Sequence, residues 1–579
     1  MILSQIHLQG YRNFKDATIS LAEKTLVIGA NDIGKSNMLR AMRILLDRGF
    51  SELDVEPKDC DFYCHEPTNE LAITITFTGI IEDCVLARLP GKVSDDGELI
   101  ISYKAWKDTL SYSLFAGPSE DKLEEISDRF YRKAFHLRYI SSNRDLSWYV
   151  KKEKRNLLND AKAKRDEGEA EADKLKLEEI STNLNEANEK IAELAYVKKS
   201  TEAINAELEQ LSFHHTNTEI VFDVGAADLS SFVDNLNLVS KVNATNLAIG
   251  GDGRNNQIFL ALWAARNEIK EENPLEVAFY CIEEPEAHLH PHQQRKLAEY
   301  LVRKLKGQVF ITSHSPQIAS EFSPNSIVRL VRRDKATKAA NGGCSEIIEE
   351  AVYEFGYRLN AISAEAFFAN AVLLVEGPSE ILFYRVLARS LDIDLDRLNI
   401  SVLVANGIGF GTYIKILQAL EIDWVVRTDN DVFKVPRKDE YRMAGVLRAI
   451  SIYEKETKRN KKIDALLTEM KDALSNMPDP HPTEDLEKKI YELRRNLEKY
   501  DIFLSEVDLE NDLLDQGLLD DVKEFLKADD REECLEIMTS SKATFMYKFL
   551  YKNYNSLKKL LDSEVTKPLI ACKKLVEQS

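Results

Sequence analysis

The stretch "VLLVEGPSEILF" (Val372–Phe383) decides the fold. Its first four residues, Val372 to Val375, read as a buried strand that stops at Glu376. Gly377 and Pro378 turn the chain, and Ser379 can cap a helix that starts near Glu380. A strand that ends in a carboxylate and turns into a helix is the repeating unit of an α/β sheet. In such sheets ligands gather outside the carboxyl ends of the strands.

Further on, "IDWVVRTDNDVFK" (Ile422–Lys434) repeats the design. Trp424, Val425 and Val426 form a strand, and Asp429 and Asp431 follow its end. Between the two units, "SVLVANGIGF" supplies a third strand, a loop with Gly407 and Gly409, and a helix from about Thr412. Glu376, Asp429 and Asp431 are thus expected to converge. Three hard oxygen ligands in one place suit Mg²⁺ or Mn²⁺. A third acidic group lies in "YDIFLSEVDLENDLL", where Phe503 and Leu504 look strand-like. If that strand continues, Asp508 and Glu510 share a face; otherwise the acids open the next helix. A second set of carboxylates suits two-metal cleavage of a phosphodiester. Lys542, after Ser540 and Ser541 at an apparent helix start, is a candidate cation for the phosphate.

The N-terminal half carries a separate constellation. "TLVIGANDIGKSNMLRAMRILL" reads as strand, loop and helix, and matches G-x-x-x-x-G-K-[ST] through Gly29, Gly34, Lys35 and Ser36. The glycines let backbone N–H groups curl around phosphates, the lysine meets the β/γ-phosphates, and the serine can ligate Mg²⁺. Asn31 and Asn37 belong to the same phosphate-binding stretch. "VAFYCIEEPEAHLHP" is a strand ending in Glu283 and Glu284, carboxylates placed to hold Mg²⁺ and polarise water. "VFITSHSP" is a strand ending at His314, whose imidazole can sense a γ-phosphate.

Composition bounds these readings. The chain has 579 residues, enough for three or four domains of about 150 residues. Its formal net charge of −20 excludes a surface that is basic throughout, but not a local basic groove. No apolar run spans a bilayer, and MILSQIHLQGYRNF lacks a secretory pattern, so a cytoplasmic protein is expected. Seven unpatterned cysteines argue against a disulfide framework, and Cys60, Cys64 and His65 lack a second ligand pair for zinc.

Four regions follow from changes in patterning: a head in two parts (residues 1–150 and 216–345), an inserted arm (151–215) and a second α/β domain (346–579). In the arm, Leu177, Ile180, Leu184, Ala187, Ile191 and Leu194 recur at spacings of three and four, a coiled-coil seam fit for a helical hairpin or dimerisation arm. The second domain holds its own insert at about 438–500, with "NMPDPHPTED" turning between two charged helices.

The phosphate loop, "EEPEAHLHP" and "TSHSP" together resemble the ABC-type ATPase heads of recombination and chromosome-maintenance proteins. In such heads a glycine-rich signature from a second head closes the site. The candidate here is "IGGDGRNNQ", with Gly251 and Gly253 facing nucleotide. Two departures, Glu283 at the usual aspartate position and the absence of Ser-Gly-Gly-Gln, point to a head that senses rather than drives. A strand-end glutamate followed by Asp-x-Asp resembles the TOPRIM domain. The ordered set from "GANDIGKSN" to "EVDLENDL" spans nearly the whole chain and resembles the OLD family of nucleases, as found in anti-phage defence.

The resemblance implies an Mg²⁺-dependent endonuclease that nicks double-stranded DNA and is restrained by ATP or another nucleotide at the head. It further implies a homotetramer with a helicase-like partner subunit. It assigns Glu376, Asp429, Asp431, Asp508 and Glu510 as catalytic acids and metal ligands, with Glu380 added as a ligand and Lys542 as the catalytic cation. The competing readings are a DNA-tethering ATPase with a degenerate TOPRIM domain, and a topoisomerase or primase. The arm is short for a tether. No tyrosine is marked out for strand transfer, and no zinc module is present for priming.

Overall fold

The computed structural model describes residues 1–141, 146–211, 236–248 except 243 and 244, 276–344 except 288, 364–405, 409–455 and 460–578, with isolated residues between 221 and 265. By packing, the chain divides into one unit of residues 1–140, 275–286 and 291–579, and another of residues 141–274 and 287–290.

The first unit contains three large sheets. The first begins with β1 (Ile2–Tyr11) and β2 (Phe14–Ser20). The next strand in sequence, β3 (Lys24–Ile28), belongs to the second sheet and is followed by helix α1 (Lys35–Leu46). The first sheet resumes with β4 (Glu70–Thr78), β5 (Leu99–Trp106), β6 (Ser111–Gly117) and β7 (Glu124–Ile126). These form an antiparallel array in the order β2-β1-β4-β5-β6-β7.

The second sheet takes β8 (Phe135–Ile140), and in the second unit a two-stranded ribbon, β9 (Val239–Val242) and β10 (Thr245–Ala248), follows in sequence. It then takes β11 (Val277–Glu283), β12 (Val309–Thr312), β13 (Ile327–Arg333) and β14 (Ala336–Ala339), in the order β14-β13-β3-β12-β11-β8. All its pairings but β13–β14 are parallel. Val27 pairs with Thr312, and Thr312 pairs with Glu283. This register brings the loops after β3, β11 and β12 to one edge. Helix α1 packs beside it through Met38, Leu39, Met42 and Leu45, part of a core shared with both sheets.

The third sheet has the order β16-β15-β17-β20, all parallel, from β15 (Ala371–Val375), β16 (Ile400–Val404), β17 (Asp423–Thr428) and β20 (Ile502–Leu504). All five residues of β15 are buried, as an unbroken apolar run in a sheet covered on both faces requires. A small hairpin, β18 (Val432–Lys434) with β19 (Tyr441–Met443), follows β17. The Gly407 loop lies outside the described residues, and its helix starts at Phe410.

In the second unit, helices α2 (Leu146–Ala163), α3 (Glu167–Ala192) and α4 (Ala195–Leu211) are consecutive. The expected seam runs along α3, none of whose residues is buried within the chain. In the third-sheet region, α5 (Pro378–Ser390) follows β15. The insert consists of α6 (Ala444–Tyr453), α7 (Lys461–Ser475) and α8 (Glu484–Leu497), and the proline-rich turn separates the last two. Strand β20 stops at Leu504; the acids beyond it do not continue the strand but open helix α9 (Leu509–Leu513), with Asp508 as its N-cap. The reason is local: the Asp508 carboxylate accepts the Asn511 backbone N–H at 2.9 Å. Further on, helix α10 (Lys542–Lys552) begins at the candidate lysine. No helix among the described residues is long and apolar enough to cross a membrane.

Candidate active site and nucleotide site

Strands β15, β17 and β20 end at one edge, and the acids that follow them meet there. Glu376 Oε1 accepts the Thr428 hydroxyl at 2.5 Å and the Asp429 N–H at 2.8 Å. The first two expected ligands are therefore adjacent. Arg448, on α6, donates to Glu376 and to Thr428 Oγ1, and reaches Asp431 Oδ2 at 3.4 Å. Its approach depends on Gly445, where a Cβ would fall 2.0 Å from the Asp429 carbonyl oxygen. Only glycine lets α6 come this close, and Arg448 follows one turn later.

Behind this layer lies Arg427, 2 % exposed. It donates to Glu380 Oε1 at 2.5 Å, Asp429 Oδ1 at 2.8 Å, Ser505 Oγ at 2.5 Å and Asp512 Oδ2 at 3.2 Å. Such a buried cation is tolerated only because its fork is filled with carboxylates. Glu380 is 3 % exposed, and its Oε2 caps α5 by accepting the Gly377 N–H at 2.6 Å. Glu380 thus spends one oxygen on the Arg427 guanidinium and the other on the start of α5.

Asp508 and Glu510 are joined through Lys542, whose Nζ lies 3.3 Å from Asp508 Oδ2 and 2.7 Å from Glu510 Oε2. Burial pushes the Glu376, Glu380, Glu510 and Asp512 carboxyls up from their ordinary range. Burial acts the same way on Asp508, but bonds from Asn511 and the Lys542 charge outweigh it and hold that carboxyl low. Burial would lower the Lys542 ammonium, yet bonding to Glu510 and the charges of Glu510, Asp508 and Asp429 raise it well above its usual value. The Asn430 N–H donates to the Val507 carbonyl at 2.7 Å, which sets the two acid groups side by side.

The donor chemistry fits a hard divalent cation. Oxygen ligands dominate, and Glu510 Oε1 is buried without a hydrogen-bond partner. Among the described residues no three acidic, histidine or cysteine side chains form a ready-made metal cage. Compensating charge comes instead from Arg448 between Glu376 and Asp431, and from Lys542 between Asp508 and Glu510.

The phosphate loop follows β3. Lys35 Nζ folds back onto the Gly29 and Ala30 carbonyls at 3.0 and 2.9 Å. Ser36 Oγ donates to Glu283 Oε1 at 2.5 Å, and Tyr139 donates to the other oxygen of the same carboxylate. His314 Nε2 lies 3.5 Å from Glu284 Oε1, and burial together with the Lys35 charge lowers its pKa. Asn37 turns away from the loop, donating to Asn13 Oδ1 and accepting from Arg12, while Asn31 is exposed at the loop's tip. Gly251 and Gly253 lie outside the described residues.

Glu286, two residues past Glu284, belongs to this site but was not among the expected residues. Its Oε1 accepts the Ser313 hydroxyl and the His314 N–H, its Oε2 is buried and unpartnered, and burial raises its pKa. It stands in "EEPE" as the third acid after the strand. Tyr139, Arg427, Arg448 and Asp512 were missed as well.

Strand β13 ties the phosphate loop to the third sheet, at the edge opposite the acids. Arg329 donates to the carbonyls of Leu420, Glu421 and Ala369 at 3.0, 2.7 and 2.8 Å, all in the third-sheet region. The next residue on β13 meets the phosphate loop: a Cβ on Gly29 would fall 2.8 Å from the Leu330 carbonyl oxygen. A cavity of about 560 Å³ lies beside this link, lined by Gly29, Asn31 and His314 from the phosphate-loop side and by Asn370, Glu421 and Asp423 from the strand starts of the third sheet.

Comparison with known proteins places these features. An AAA ATPase domain model matches residues 1–243 and 130–319. The TOPRIM domain model of overcoming-lysogenization-defect-like proteins matches residues 367–431. The chain is 24 % identical over 545 residues to Endonuclease GajA of Bacillus cereus (strain VD045), covering 89 % of each. It is 23 % identical over 461 residues to the OLD nuclease of Thermus scotoductus (strain ATCC 700910 / SA-01), covering 76 % of this chain and 84 % of that one. Against the Old nuclease of Escherichia phage P2 it is 22 % identical over 415 residues, 65 % and 68 % of the two chains.

Proposed function

We propose, for a chain that belongs to the OLD family of nucleases with an AAA ATPase domain and a TOPRIM domain, that it is a divalent-metal-dependent DNA endonuclease which nicks duplex DNA in anti-phage defence, a reading supported by its likeness to Endonuclease GajA. The observation that carries the reading is the meeting of Glu376, Asp429 and Asp431 with Asp508, Glu510 and Lys542 at one sheet edge. Division into an ATPase head (residues 1–150 and 216–345), a dimerisation arm (151–215) and a nuclease domain (346–579) is part of the same reading.

Glu376, Asp429 and Asp431 would hold one Mg²⁺ or Mn²⁺, and Asp508 with Glu510 a second. When bound, such ions neutralise the phosphate and make water a better nucleophile. Lys542 meets the charge that builds on the phosphoryl oxygens as the bond breaks. Arg427 fixes the Asp429 carboxylate from behind, and Thr428 orients Glu376. Arg448 holds Glu376 and Asp431 toward one another and would share their carboxylates with a bound cation.

The head restrains this chemistry. Gly29, Gly34, Lys35 and Ser36 take the phosphates, with Glu283, Glu284 and His314 around the γ-phosphate. Lys35 bonds to the Gly29 and Ala30 carbonyls and Ser36 to Glu283. Nucleotide at the loop would act on Leu330, whose carbonyl lies against Gly29, and Arg329 would pass that change to the third-sheet region. On the same reading the chain forms a homotetramer, with the arm as a dimerisation element, and associates with the helicase-like subunit GajB.

The test is incubation of the purified chain with supercoiled plasmid and Mg²⁺, with and without ATP. Nicking that ATP suppresses is expected. Absence of cleavage in both Mg²⁺ and Mn²⁺, with ATP driving head association, favours the tethering ATPase. Rapid steady-state ATP turnover contradicts a sensing head.

A further inference from the structure

Helix α10 does more than deliver Lys542. The thirty-six residues before it, 501–536, carry fourteen acids against three basic residues. Then, from Ile537 to Leu561, there is no acid at all, and five lysines: Lys542, Lys548, Lys552, Lys558 and Lys559. In a chain of net charge −20 this reversal is abrupt.

The reversal is displayed on one face. Phe545, Met546, Phe549 and Leu550 bury the inner side of α10. The opposite side presents Tyr547 and Tyr551, 64 % and 82 % exposed, alternating with Lys548 and Lys552. Spacings of three and four put all four side chains on a single stripe. With Phe525 they line a groove of about 230 Å³, and the Lys552 ammonium lies 5.5 Å from the centre of the Phe525 ring. Tyr554, 38 % exposed, and Lys558 extend the stripe past the helix end. Neither Lys548 nor Lys558 is paired with a carboxylate among the described residues, whereas Lys559 is held by Asp521.

Two large aromatic side chains left in water cost free energy without contributing to this chain's core. Tyrosine interleaved with lysine is the composition that grips nucleic acid: ammonium groups meet phosphates, and rings meet sugars or stack on unpaired bases. The helix also fixes the direction. Tyr547 and Tyr551 stand roughly 7 to 14 Å along the axis from Lys542, about two to four nucleotide steps of one strand.

We propose that the Tyr547–Lys548–Tyr551–Lys552 face of α10, continued by Tyr554 and Lys558, is a docking surface for the DNA being cut, on the side of the helix away from Lys542. This rests on the nuclease reading above and adds the surface that positions its substrate. A protein partner is the other occupant a lysine–tyrosine face could take. The charge of the face and its place on the helix that carries Lys542 favour DNA.

The experiment compares wild type, Tyr547→Ala/Tyr551→Ala and Lys548→Glu/Lys552→Glu in the full-length chain. Nicking rates are measured against plasmid concentration at several salt concentrations, and binding of a fluorescent duplex is measured in Ca²⁺. The tyrosine pair is expected to raise KM at least about five-fold with kcat at saturation kept. The lysine pair is expected to raise KM and to lower the slope of log affinity against log salt by about two. All four side chains are exposed, so the thermal midpoint of each variant should match wild type; the lysine variant keeps the test open should the tyrosine variant lose stability. Unchanged KM and salt slope in variants of an active wild type overturn the inference alone. So does normal DNA binding combined with lost association of a second protein. A wild type that neither binds nor cleaves DNA removes the nuclease reading, and this inference with it.

Discussion

The nucleotide site and the acid site are built at equivalent edges of two parallel sheets, yet they solve opposite problems. The phosphate loop must accept a polyanion, so it offers N–H groups and one lysine, which folds onto its own carbonyls at Gly29 and Ala30. The acid site must accept cations, so it gathers carboxylates and holds them together with Arg427, Arg448 and Lys542. The first is made mostly from one contiguous segment. The second needs residues from Glu376 to Lys542, and its built-in cations decide how tightly the acids may approach.

If that contrast is right, Lys542→Met should give the largest effect of the supporting variants, a loss of about 10²–10³ in nicking rate with the duplex still bound. A rate within two-fold or so of wild type would break the assignment of Lys542 to the chemistry. Arg427→Met leaves Glu380, Asp429 and Asp512 facing one another without their shared cation. The expected cost is about 3–5 kcal/mol, read from the denaturant midpoint. A stable variant would show that protonation of these acids replaces the guanidinium.

Lys35→Ala sharpens the other side. It should weaken nucleotide binding about ten- to a hundred-fold, through loss of charge-assisted bonds to phosphate. Nicking should persist at ATP concentrations that silence wild type, measured on plasmid. Equal suppression of both would uncouple the loop from the nuclease.

The smallest effect is in pH. Burial holds Glu376 and Glu510 above the ordinary carboxylate range, so they take up protons at higher pH than free glutamate, near 4.3. Cation binding needs the deprotonated forms. Cleavage should therefore fall as pH drops, starting above that value, and added Mg²⁺ should move the fall to lower pH. The same raised values mean that the fold binds protons more tightly than the unfolded chain, so these groups remove stability as pH rises through their range. A profile indifferent to Mg²⁺ would count against the acids as ligands.

Sequence patterning carried much of this. Strand-end positions of Glu376, Asp429, Glu283 and His314 could be read because an apolar run and its terminus are local properties. The cations could not. Arg427 sits inside an apolar strand, where a charge reads as a surface position; its burial depends on Glu380, Ser505 and Asp512, all distant in sequence. The signal was present in "WVVRTDND", a charge where a doubly covered strand should have none. Arg448 lies in an amphipathic helix of the insert, and its reach depends on the close approach at Gly445. Asp508 and Glu510 were read as one face of a strand or the start of a helix, and the helix cap prevailed because its bond is made within three residues.

The most direct measurement is nicking of supercoiled plasmid in Mg²⁺ by wild type and Glu376→Ala, at equal concentrations and with assembly matched by sedimentation. Glu376 accepts from Thr428, Asp429 and Arg448 at once, so its removal takes out the centre of the acid site. The account predicts that the variant assembles and binds nucleotide as wild type does but loses cleavage by at least about 10³-fold. Cleavage retained by an assembled Glu376→Ala protein would contradict it.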